Sequence, residues 1–245
     1  MTTAPVSALL GSAARAPFVV LKRFRPHRPI HPEGTGLDGT LTRTGGGDSG
    51  IRWIDEPGQE PVRARFSRSA GLPHGWPDIL GLALRVPVPA GEGAGGDAEG
   101  HDGRADVLLA TAGSGRLSRF VPTLHRYVPD GAFASFMPYR GTHGPVLVAA
   151  RSEPRAEPLP ARPDRFREAV AAEPWVLGLY WATPLGPWRR FGTAELRAGA
   201  PVDHTERFDP LLNVPVGAEN YGWTHRLRDP SYSLARRPRE ELGRA

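Results

Sequence analysis

The chain reads as a mainly β, α+β protein: one antiparallel β-barrel carrying loop and helical decorations. Three observations carry that reading. Short apolar runs recur from residue 28 onward, each bounded by turn residues. The 245 residues include 27 Pro, which disfavour long helices, and 30 Gly, which supply turns. No internal repeat and no linker divides the sequence, so the runs belong to one core.

The elements follow in order. Residues 1–27 form a leader of small residues that ends in a basic turn, with a short helix over Ser7–Ala14. Gly39–Thr44 is a strand, stopped by the glycine loop 45–50, and Ile51–Ile54 resumes it as a hairpin. Pro61–Arg68 is a second strand, and Ile79–Val88, the most apolar run of this half, is a core strand. Gly91–Arg104 is rich in Gly, Asp and Glu without an apolar anchor, which makes it an exposed, mobile insert. Ala105–Thr111 returns antiparallel to the core strand. Leu117–Tyr139, broken by Pro122, Pro129 and Pro138, covers the barrel without joining it. Pro145–Ala150 is a strand. A helix over Arg165–Ala172 sets Phe166 and Val170 on one face. Trp175–Trp181 and Phe191–Leu196 are strands, Phe208–Gly217 is turn-rich, and Arg226–Arg237 is a polar helical end. The count is seven or eight strands. The domain limits are leader 1–27, barrel domain 28–237 with its insert at 91–104, and tail 238–245.

Composition excludes several chemistries. There is no cysteine, hence no disulfide, Fe–S cluster, thiolate zinc site or cysteine nucleophile. The net charge is +5, but Lys22 is the only lysine and the arginines are spread without a stripe. That is a compositional bias toward arginine, and no nucleic-acid partner is expected. No apolar run nears the ~20 residues of a membrane span, and residues 1–20 lack a basic start. The expectation is a cytoplasmic protein without a membrane partner.

Two motifs are misleading. Gly34-Thr-Gly36-Leu-Asp-Gly39 fits G-x-G-x-x-G, but a dinucleotide site needs a strand before it and a helix after it. Here prolines precede it and a strand follows. The eight histidines form neither H-x-H nor H-x-x-x-H, so no local metal motif is written.

Three segments together resemble the haem catalase family. The first, from Arg28 through His31, Gly34 and Gly36 to Gly39, is similar to the first barrel strand of catalases, an R-x-x-H-x-x-G-x-G-x-x-G run with a distal histidine. The second, Val62-Arg-Ala-Arg65-Phe-Ser67 with Ala70-Gly71, resembles the family's VRFS strand. The run 77–86 and Asp106-Val-Leu-Leu109 resemble its successors. The third comprises Phe166–Tyr180 and Phe208–Gly217, followed by Arg228-Asp-Pro-Ser-Tyr232 with the R-x-x-x-Y spacing of the proximal haem-ligand helix. The match covers Arg28–Gly113 and Arg165–Arg237.

The resemblance implies a haem cofactor and assigns roles. Tyr232 ligates the iron as its anion, with Arg228 one helical turn away favouring the charged form. His31 shuttles the peroxide proton. Arg28 and Arg65 pair with the propionates in planar forks. Ser67 orients His31. Each residue also has an ordinary reading: a strand-end histidine, a solvated strand face at Arg65 and Ser67, a surface tyrosine. One departure stands out. Ala110 occupies the place of the family's distal asparagine, which weakens peroxide positioning. The long N-terminal arm, wrapping segment and helical C-terminal domain of catalases are reduced or missing, so the resemblance implies a minimal, diverged member and a monomer or simple homodimer. The functional expectation is a peroxidase on hydrogen or organic peroxides, using a small-molecule reductant, with weak or no true catalase activity. The alternative is a haem-free barrel that binds a small apolar ligand or a protein partner.

Overall fold

A computed structural model describes residues 34–69, 71–73, 75–89, 103–129, 131–201, 206 and 208–224. Ten strands run in chain order: β1 (Gly34–Arg43), β2 (Gly58–Arg68), β3 (Leu80–Pro87), β4 (Arg104–Ala112), β5 (Ala132–Ala134), β6 (Tyr139–Gly141), β7 (Gly144–Ser152), β8 (Trp175–Ala182), β9 (Arg189–Ala198) and β10 (Glu219–Asn220). Eight of them close in the order β1-β2-β3-β4-β5-β7-β8-β9, and β9 returns to β1. Every pairing is antiparallel. The short strands β6 and β10 extend the sheet beyond β7. The expected antiparallel barrel is therefore present.

The two-residue period of each strand divides the side chains between two faces. Paired rows such as Thr35–Phe66–Leu82–Leu109 and Leu37–Ala64–Leu84–Val107 point inward. All of these side chains are buried. The helix α2 (Pro163–Ala172) packs on β1 and β9. Proline opens it, where the missing N–H costs nothing. Its buried side chains are Phe166 and Val170, the two expected from their spacing. The Phe166 ring stacks on Phe66 at 4.0 Å and meets Trp175 edge-on at 5.3 Å, joining the helix to the barrel core.

Three expectations need correction. Ile51–Ile54 is not a strand: Arg52–Asp55 forms a single helical turn, α1. The cause is Asp55, whose carboxylate accepts from the Ser49 and Gly50 amides at 2.9 Å and from the Ser49 hydroxyl at 2.8 Å. That closes the loop before a strand can extend, and Trp53 and Ile54 turn into the core. Second, Leu117–Tyr139 does join the barrel, because Ala132-Phe-Ala134 bridges β4 to β7. Three residues are too few for a period-two pattern to show in sequence. Third, the first strand begins at Gly34, not Gly39. The remaining strands lie where expected, with ends displaced by a few residues. Residues 7–14, most of the insert 91–104, and 226–237 lie outside the described residues. Arg104 itself already belongs to β4.

Replacing Phe166 by Ala removes the ring that ties α2 to the barrel. A loss of about 3–5 kcal/mol in unfolding free energy is expected, read by urea denaturation.

Candidate functional site

The outer face of the barrel changes character across its strands. One register row runs Gly34–Ser67–Gly81–Ala110–Ala134–Ala149 through β1, β2, β3, β4, β5 and β7. No side chain in it is larger than serine. The next row, toward the other end of the barrel, is Gly36–Arg65–Ala83–Leu108. Together they make a flat floor with a single guanidinium standing on it.

The two β2 side chains explain the neighbouring glycines. A Cβ at Gly34 would collide with the Arg65 guanidinium, which lies over that position. A Cβ at Gly81 would come within 2.9 Å of the Ser67 hydroxyl. Gly34 and Gly81 are thus the space that Arg65 and Ser67 fill. Gly39, the last glycine of the misleading motif, has a different role: the Glu195 carbonyl of β9 occupies the space of its Cβ. The G-x-G-x-x-G pattern is therefore strand packing, as the flanking sequence indicates.

Arg65 is half-buried, and desolvation lowers its pKa from the usual arginine value while the Glu206 carboxylate opposes that shift. Ser67 is buried. The structure brings these two expected residues onto one face of β2. Ala110 joins them across β3, in the same row as Ser67. Neither Ala110 nor the buried Thr111, whose hydroxyl donates to the Thr123 carbonyl at 2.7 Å, places a carboxamide there. The chain enters β1 opposite Ser67, three residues after His31 in sequence. Arg28, His31, Arg228 and Tyr232 lie outside the described residues.

A third row, Asp38–Arg63–Arg85–Asp106, alternates acid and base at its ends. Arg63 pairs with Asp38 at 3.0 Å and Arg85 with Asp106 at 2.6 Å. Glu206 lies 3.4 Å from Arg63 and 3.8 Å from Arg85, between two like charges that would otherwise repel. Asp106 was not singled out as a site residue in the sequence, yet it is the hub of this end. Fully buried, it accepts both Arg85 bonds, the Asp209 amide at 2.8 Å and the Asn213 side-chain amide at 2.7 Å. Its own amide donates to the Asn213 carbonyl. The Phe208–Gly217 segment is thereby anchored to β4, and the Phe208 ring receives Arg85 at 4.4 Å. The signal was present: Asp106 and Asn213 both fall inside the matched segments, but 107 positions separate them.

Among the described residues no three His, Asp or Glu side chains gather as a metal site. No described helix is long and apolar enough to cross a membrane.

Replacing Asp106 by Ala removes the buried carboxylate that holds half-buried Arg85 and frees the Asn213 amide. A stability loss of about 3–5 kcal/mol is expected by urea denaturation, together with faster amide exchange at Asp209 and Asn213.

No family model matches the chain, and no curated protein matches it in sequence. Solved structures do match. A fungal catalase superposes with a TM-score of 0.52 at 16% identity, over 91% of this chain and 60% of its own. A bacterial catalase superposes with a TM-score of 0.52 at 15% identity, over 93% of this chain and 61% of its own. The chain thus spans about three-fifths of the length of those catalases. The barrel is catalase-like in fold.

Proposed function

We propose that this chain is a catalase-related haem protein acting as a peroxidase on hydrogen or organic peroxides. The observation that carries the reading is the floor of small residues beside Arg65. Ser67, Gly81 and Ala110 leave a surface without protruding side chains, suited to a flat macrocycle, and the Arg65 guanidinium covers Gly34 at its end. Arg65 stands at its edge as a partner for a carboxylate. The described residues fit the group to that extent, and the catalase-like fold supports the same cofactor.

When bound, the haem supplies the redox chemistry of its iron. The rest falls to side chains. Arg28 and Arg65 hold the propionates, each by a planar fork that fixes orientation as well as charge. Tyr232 would ligate the iron, and Arg228, four residues earlier in the sequence, would favour its phenolate over the phenol. His31, as neutral imidazole, would take the proton from the incoming peroxide. The same ring would be placed to return that proton to the leaving oxygen, while the haem, when bound, would supply the electrons that O–O cleavage requires. Ser67 positions the His31 ring through its hydroxyl. A small-molecule reductant would supply the two electrons that the peroxide consumes.

Ala110 bears on efficiency. A carboxamide at that place would hold the peroxide by a hydrogen bond, and a methyl group cannot. Peroxide is then positioned by His31 alone, which suits a peroxidase better than rapid disproportionation.

The deciding measurement is the absorption spectrum of protein expressed with a haem precursor. A Soret band with high-spin ferric tyrosinate features is expected, lost in Tyr232→Phe. His31→Ala should keep the band and lose peroxide turnover. A colourless protein that also fails to take up added hemin would sink the reading and favour a haem-free barrel. Replacing Ala110 by Asn should raise turnover of hydrogen peroxide by roughly tenfold or more, measured by peroxide consumption.

A further inference from the structure

Exposed apolar side chains are concentrated at one end of the barrel. Eight large ones stand in solvent among the described residues, and six of them lie on two segments, 72–76 and 117–127. They are Leu72, Trp76, Leu117, Val121, Leu124 and Tyr127, with Leu117 76% and Trp76 63% exposed. Asp78 and His125 exchange both backbone hydrogen bonds in an antiparallel bridge that joins the segments. Trp76 and Tyr127, each two residues from it, therefore fall on the same side of the bridge.

The exposure is built into the fold. The loop that carries Leu72 and Trp76 is held by a buried ion pair, Arg68 with Asp78 at 3.4 Å. The Arg68 guanidinium donates to the Trp76 carbonyl at 2.8 Å and the Leu72 carbonyl at 3.2 Å. The Asp78 carboxylate accepts from the Leu72 amide at 3.1 Å. Segment 117–127 is fixed as firmly. Its 3-10 turn Ser118–Phe120 packs against β4 and β5. Thr123 donates its amide to the Thr111 carbonyl and accepts from the Thr111 hydroxyl, and Tyr127 bridges to Pro160. Burying a charged pair is costly. Here the pair holds apolar side chains in water, where they contribute nothing to the core.

Charge supplies the second observation. Exposed Arg116 and Arg126 adjoin Leu117 and Tyr127 in the chain, and neither pairs with a carboxylate among the described residues. From Val107 to Ser152 the sequence holds five Arg and one acid, Asp130. Asp78 is already committed to Arg68, and the exposed Glu157, three residues before Pro160, is one carboxylate against these two cations. Trp and Tyr are favoured at the boundary between lipid and water. Arginines set beside them reach the phosphates of the headgroups.

We propose that this end of the protein docks on an anionic membrane surface. Trp76, Leu124 and Tyr127 enter the headgroup layer, and Arg116 and Arg126 meet the lipid phosphates. Such docking lies on the bilayer and needs no spanning segment. It does not rest on the haem reading.

The test is co-sedimentation of the full chain with vesicles of phosphatidylcholine alone, and with about one-third phosphatidylserine added. Saturable binding to the anionic vesicles is expected, roughly tenfold or more tighter than to neutral ones and weakened by salt. Trp76→Ser should weaken it roughly tenfold or more, and so should Arg116→Gln combined with Arg126→Gln. Both variants replace exposed side chains, so their thermal melts should match that of the parent. Binding to neither vesicle, equal binding to both, or binding unaltered in both variants would overturn the proposal. A concentration-dependent dimer that Trp76→Ser abolishes, without vesicle binding, would overturn it in favour of a face between two copies of the chain.

Discussion

Closure of the ring by the β7–β8 pairing is the constraint on which everything else depends. Once the sheet is a cylinder, half the side chains of every strand are committed to a small interior. That interior is filled by Leu, Val, Phe and Trp side chains with almost no exposure. Chemistry on the barrel wall has to sit on the outside, where the other half of each strand is free to vary. The outer rows use that freedom. One is a ladder of paired charges, one carries Arg65 among small and apolar side chains, and one is reduced to glycine, serine and alanine. The interior holds the fold while the exterior carries the differences.

This division explains what could be read from the sequence. The long strands were legible because five or more alternating residues announce a buried face, as in Leu80–Pro87 with its regular alternation of buried and half-buried positions. Helix α2 was legible from its proline start and the spacing of Phe166 and Val170. The turn α1 was not, since Asp55 shapes it through hydrogen bonds rather than through any periodic signal. Strand β5 was invisible because Ala-Phe-Ala has no pattern of its own. Its place in the ring is set by the neighbours it must join.

The candidate site was legible unevenly for a related reason. Arg65 and Ser67 lie two apart on one strand, so sequence alone puts them on one face. Their partners are chosen by register. Gly34 and Gly81 are far from them in the chain and next to them in space, which only pairing reveals. The same holds for the tie between Asp106 and Asn213. It converts a turn-rich segment into a fixed part of the barrel wall by one buried carboxylate. Sequence similarity marks such residues without stating what they touch.

The shortness of β5 has a consequence for the life of the protein outside its native state. It contributes three register pairs to each neighbour, whereas every other pairing in the ring has six or more. The cylinder is held shut most weakly there. A chain that lets go of β5 presents β4 and β7 as free edges, and each is a nine-residue strand rich in aliphatic side chains. Unpaired amides along such an edge are a template for strands of other molecules. Self-association during folding would therefore begin at this seam, and the packing of the Ser118–Phe120 turn on β4 and β5 acts as a guard against it.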